Sequence, residues 1–157
     1  MMNGDRIANV CFHGIGRPQR ELEPGEESYW ISVEVFHDIL DALGGRSDVA
    51  LSFDDGNITD LDVGLPALLE RQLTATFFPL AGRLDQPGSL TSASLVELRR
   101  SRMRIGSHGM DHIPWRGLEP EQQRREFVLA RERLAEASGG PVLEAALPLG
   151  RYDRSVL

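Results

Sequence analysis

Short apolar runs at 8–13, 49–53, 74–80, 103–107 and 142–147 alternate with stretches whose apolar residues return every three or four positions. No other feature narrows the choice of fold so far. The runs are rich in β-branched and aromatic residues, "TATFFPL" at 74–80 most of all, and read as buried strands. Between them, Ile31, Val35, Phe36, Ile39, Leu40 and Leu43 mark one helical face over 29–43, closed by Gly44-Gly45. Leu65, Leu68, Leu69 and Leu73 mark a second over 61–73, its regular part starting near Pro66. Ser94 and Glu97 have the spacing of a capping box that opens a third helix running to about Arg102. Glu119-Pro120 opens a fourth, with Phe127, Ala130, Leu134 and Ala137 inward, arginines and glutamates on a solvated face, and Gly139-Gly140 closing it. Strands alternating with helices imply parallel strands joined by crossovers, in an open doubly wound sheet or a β/α barrel. At 157 residues the expectation is a single domain, 1–157.

Hydrophobic residues make up 41% and charged residues 26%, proportions that argue against a disordered or fibrous chain. The formal net charge of -7 disfavours a general nucleic-acid binder or a binder of anionic membranes. All 17 basic residues are arginine, from which no mechanism follows. The N-terminus lacks a basic segment followed by an apolar core, and no stretch offers the ~20 apolar residues of a membrane span, so the cytoplasm is the default location. Cys11 is the only cysteine, which excludes an internal disulfide and fits a reducing compartment. Its apolar neighbours Val10 and Phe12 predict a small buried core residue.

Both candidate folds put working residues at the carboxyl ends of strands. Three runs end there in polar residues: Asp54-Asp55-Gly56, "SHGMDH" at 107–112 and "LPLGRYD" at 147–153. Two adjacent carboxylates repel, and a nearby cation is the simplest way to keep both ionised. His108 and His112 supply imidazoles four residues apart, and a helical turn over 110–112 would point both at one ion. One carboxylate and two histidines leave a coordination position open, the composition of a hydrolytic zinc site. The same set also makes the facial triad of iron oxygenases. The neighbouring aspartate favours hydrolysis, because an oxygenase has no use for a free base beside its ligand.

At these residues the chain resembles the polysaccharide deacetylases with the NodB homology domain, carbohydrate esterase family 4. "SFDDG" matches the family's (T/S)FDDG, "IGSHGMDH" its IGxH(S/T)xxH, and "ALPLGRYD" its third motif. The resemblance runs from about residue 7 to the end. It implies a distorted (β/α) barrel, with Asp54 as catalytic base and Asp55, His108 and His112 holding a divalent ion, zinc first. It implies an acetylated glycan as substrate and N-deacetylation as the reaction, with an oxyanion held by the metal and a backbone N–H at Leu149, beside Pro148 in the third motif.

Some positions depart from that pattern. Ala146 stands where an arginine often pairs with the base, and Gly109 where a serine or threonine would brace the loop. The family's C-terminal histidine, the expected general acid, has no counterpart here, so the barrel is expected to lack its last strands and the alternative of a non-catalytic metal- or glycan-binding module stays open. His13, in "FHGIG", either lines the pocket, where it could serve as an acid, or is a hydrogen-bonded structural residue. Trp115 and Tyr152 either stack on a sugar or pack in the fold, and His37, inside a helix, is given no role.

Overall fold

The computed structural model describes residues 7–154 and residue 156. Its main sheet contains β1 (Ala8–Phe12), β4 (Val49–Asp55), β5 (Thr76–Pro79) and β6 (Arg104–Ile105), all parallel and in that spatial order. A separate parallel pair joins β2 (Gly14–Ile15) to β3 (Trp30–Ile31). At Gly14 a Cβ would sit 2.1 Å from the Trp30 indole, so only glycine lets that pair form.

The order β1-β4-β5-β6 never reverses. Right-handed crossovers that always advance in one direction put every connecting helix on the same face, which is single winding, the arrangement of a barrel wall. Side-chain register supports this division of faces. Phe12, Phe53, Phe77 and Ile105 are neighbours across the sheet and all are buried. Phe53 stacks on Phe77 with centroids 4.5 Å apart, and Phe12 meets Phe36 of the first helix edge-on at 4.9 Å. Burying one such ring contributes roughly 1.5–3 kcal/mol, and each aromatic pair roughly 0.5–1.5 more. The adjoining row, Cys11, Ser52, Thr76 and Arg104, faces the other way and is polar. It borders a cavity of about 410 Å³ together with Asn9 and Glu144.

Helices α1 (Val33–Leu43), α2 (Leu65–Glu70) and α3 (Ser92–Arg100) bury Phe36 and Leu40, Leu65 and Leu68, and Leu95 and Leu98 in the core that the aromatic row enters. Their bodies lie where the apolar spacing places them, and their starts are set by caps. Ser32 accepts from the Val35 amide and begins α1 four residues later than expected, because 26–29 forms a 3-10 turn and Trp30–Ile31 pairs with β2. A π-helical turn, Asp60–Gly64, precedes α2, with Pro66 in the first turn of the regular helix. The box of α3 is Thr91 with Ser94, three residues earlier than the Ser94 and Glu97 pairing expected from sequence. The last helix comprises α4 (Pro120–Gln123), a π-helical segment (Arg124–Leu129) and α5 (Ala130–Ser138), closed by Gly139 at φ 69°.

Two strand expectations need correction. The 142–147 segment is no strand; it makes one parallel bridge, Ala145 to Ser107, because only Ser107 offers it a ladder partner. Cys11 is exposed on the polar row instead of buried, since Phe12 beside it takes the core-facing position. No helix among the described residues is long and apolar enough to cross a membrane.

Candidate metal centre

Asp54 and Asp55 end β4 opposite Phe78 and Pro79. In a regular strand their side chains would point to opposite faces. Asp55 has a φ of 72°, which breaks the alternation, and both carboxyls line one cavity of about 690 Å³. That is how adjacent aspartates serve one site.

His108 and His112 reach the same cavity from the irregular loop after β6. The expected helical turn at 110–112 is absent; Gly109 and His112, at φ 86° and 57°, fold the loop back so that the two rings lie 5.4 Å apart. Glu126, wholly buried on the π-helical segment, holds the loop in place. Its carboxylate accepts from the amides of Met110 (2.8 Å) and Asp111 (3.1 Å) and from the Trp115 indole (3.3 Å). A Cβ on Gly109 would lie 2.3 Å from Glu126 Oε2, so the absent serine or threonine side chain is replaced by a carboxylate arriving from the helix.

The ligand atoms converge. Nε2 of His108 and Nε2 of His112 each lie 3.5 Å from Asp55 Oδ1, and that oxygen is buried without a hydrogen-bond partner. Bonds of about 2.0–2.2 Å to a tetrahedral ion place ligand atoms about 3.4 Å apart. The triad therefore fits a divalent ion in both spacing and donor type. Each imidazole is also anchored by its other nitrogen, which leaves Nε2 free to coordinate. His108 Nδ1 lies 3.1 Å from the Ala146 carbonyl, and His112 Nδ1 lies 2.9 Å from Glu23 Oε2, Glu23 itself being paired with Arg83. Burial holds the His108 pKa below its ordinary value, against the pull of Asp54 and Asp55, and so favours the neutral, ligating form.

Asp54 stands beside this triad, nearly buried, with Oδ1 lacking a hydrogen-bond partner. Burial raises its pKa, while His108, His13 and the Cys11 thiol work in the opposite direction. Asp60 is also buried, and desolvation together with Asp55 lifts its pKa well above its ordinary value. Burial and Asp54 push the Cys11 thiol up to about 12.

Of the other positions singled out from sequence, His13 and Leu149 line the cavity. Pro148 is buried, and neither it nor Trp115 lines that cavity. Trp115 is 4% exposed, bonded to Glu126 and packed edge-on to Phe127 at 4.8 Å, so it is a packing residue and no sugar platform. Four contributors escaped sequence reasoning. Glu23 sat in an assumed loop, and Arg151, also on the cavity, in an unassigned part of the third motif. Tyr29, 60% exposed with its ring 5.2 Å from His13, ends a 3-10 turn instead of starting the helix expected over 29–43. Glu126 was assigned to a solvated face, although the four-residue steps Glu126, Ala130, Leu134 put it on the buried one.

A family model described as polysaccharide deacetylase matches residues 43–157. YxkH of Bacillus subtilis (strain 168), whose name assigns it to the polysaccharide deacetylases, is 27% identical over 109 residues. That match takes in 69% of this chain and 39% of YxkH, so the chain spans well under half of that curated relative. Among solved structures, the Streptococcus pyogenes deacetylase PplD in complex with acetate superposes with a TM-score of 0.80 at 19% identity, over 96% of this chain and 76% of that one. BC0361, a polysaccharide deacetylase from Bacillus cereus, gives 0.81 at 18% identity, over 96% and 53%. At such identities the structures establish a shared fold.

Proposed function

The chain belongs to the polysaccharide deacetylase family, and from that premise we propose that it contributes a metal-dependent site for removing acetyl groups from an amino-sugar-containing glycan, N-acetyl groups first. The observation that carries this reading is Asp55 Oδ1, buried and unpartnered, with an imidazole Nε2 at 3.5 Å on two sides and a second carboxyl next to it. Asp55, His108 and His112 hold the ion. Bound there, a divalent ion such as zinc supplies a Lewis acid and a water acidified towards neutrality.

Asp54 is the general base in this scheme. Its unpartnered Oδ1 is free to take the proton of the attacking water, and burial raises its affinity for that proton. The Leu149 backbone N–H, on a turn held by buried Pro148, stabilises the oxyanion. His13, on the same cavity wall, is the imidazole assigned to the leaving nitrogen. Exposed Tyr29 offers an aromatic face to a sugar ring, and Arg151 a cation to its polar groups.

The test pairs a calorimetric zinc titration with acetate release from N-acetylglucosamine oligomers and O-acetylated glycans. Asp55→Ala and His112→Ala should each lose the tight ion. Asp54→Asn should keep it and lose acetate release by at least a hundredfold. A metal-loaded parent that releases no acetate from any acetylated glycan tested would leave a binding module in place of a hydrolase.

A further inference from the structure

Among the described residues two groups of three metal-ligating side chains have their ligand atoms within 4.8 Å of one another, and the proposed function uses only one of them. The other is Cys11, His13 and Asp54. We propose that these three residues form a second cation site, one that takes thiophilic or borderline divalent ions such as cadmium or excess zinc. Four observations converge on it. Cys11, on the polar face of β1, is itself exposed and reachable from solvent. Two residues further along, His13 follows the end of that strand and lines the same cavity as Cys11 and Asp54. Asp54, only 9% exposed, offers an Oδ1 with no hydrogen-bond partner. Sulfur, imidazole and carboxylate together form the donor set that borderline and soft ions select over magnesium or calcium.

Ligand atoms around a tetrahedral ion with one sulfur lie about 3.4–3.7 Å apart, a spacing that falls within the 4.8 Å bounding these three. The Sγ–metal bond forms as the thiol gives its proton to solvent, and the charge of the thiolate is neutralised by the ion. Asp54 belongs to this group and its neighbour Asp55 to the other, so an ion in the second site occupies the carboxyl that the proposed function needs free. That consequence rests on the role proposed for Asp54, whereas binding itself does not.

The reduced full chain titrated with cadmium is expected to bind two ions and to develop an ultraviolet thiolate-to-cadmium charge-transfer band. The band can come only from Cys11, the single cysteine. Cys11→Ser, a near-isosteric change at an exposed position, should bind one ion and show no band, with circular dichroism unchanged. His112→Ala should lose the other ion and keep the band, which separates this site from the first. His13→Gln should weaken the band-forming ion at least tenfold. No band in the parent, two ions still bound by Cys11→Ser, or full affinity in His13→Gln would each overturn the proposal.

Discussion

Asp55, His112 and Leu149 hold φ angles of 72°, 57° and 56°, half of the six non-glycine residues with positive φ among those described. Such conformations cost about 1–3 kcal/mol each, and here they turn a side chain or an amide into one cavity. Gly109 beside them has no freedom to gain a side chain, with φ at 86° and Glu126 Oε2 2.3 Å from any Cβ. Gly109→Ser should therefore lose about 2–4 kcal/mol in urea unfolding; stability equal to the parent would mean that the loop has another conformation open to it. Glu23 acts through His112 Nδ1 at 2.9 Å and lies outside the core. Glu23→Ala should weaken zinc about 10–100-fold in calorimetry while leaving the unfolding midpoint of the metal-free chain unchanged. The paired aspartates and the histidines stood out in the sequence because they fall together, in motif spacing, at the carboxyl ends of two apolar runs. Glu23 did not, because its significance lies in a contact 89 residues away.

The elements divide by what sets their ends. Helix bodies followed from apolar spacing, which is local, and Ser32, Thr91 and Gly139 stop or start them by hydrogen bonds within a turn. The 142–147 segment has the composition of a strand but is none, because strandedness needs a partner and Ser107 alone supplies one. The 17–26 segment, read as a loop without further role, is organised by Arg20, which pairs with Glu26 and also bonds Asn57 at 2.8 Å. Burial pushes the Glu26 pKa up, but Arg20 and the Glu23 amide outweigh it, and the net value lies below the ordinary 4.5. A lowered carboxyl pKa adds stability that is complete above the unfolded value near 4.5 and is lost as pH falls through the folded value. The stability difference between the parent and Arg20→Met, followed by urea unfolding, should hold constant at pH 6–7 and shrink below about 4.5. A difference that stays constant down to pH 3 would remove Arg20 as the cause.

At the scale of the whole molecule the centre ties distant elements together: β4 supplies Asp55, the loop after β6 supplies both histidines, the 142–147 segment supplies a carbonyl and the 17–26 segment a carboxylate. A bound ion should then stabilise the fold as a unit. At a zinc concentration about 100 times the dissociation constant the gain is about 2.7 kcal/mol, or roughly 5–10 °C in Tm for a chain of this size. Chelation should reverse that shift in the parent and do nothing to His112→Ala; an identical response in both would place the stabilising ion elsewhere. The alternation of strands and helices, the strand-end motifs and the family were legible in the sequence, because periodicity and motif spacing are local properties of a chain. The single winding agrees with the barrel that the motif resemblance implied, whereas the tertiary structure alone decided the face that exposes Cys11, the burial of Glu126 and Trp115, and the turning of both aspartates into one cavity. Each of these depends on which face of an element meets which neighbour, and a linear order of residues does not encode that until the strands have paired.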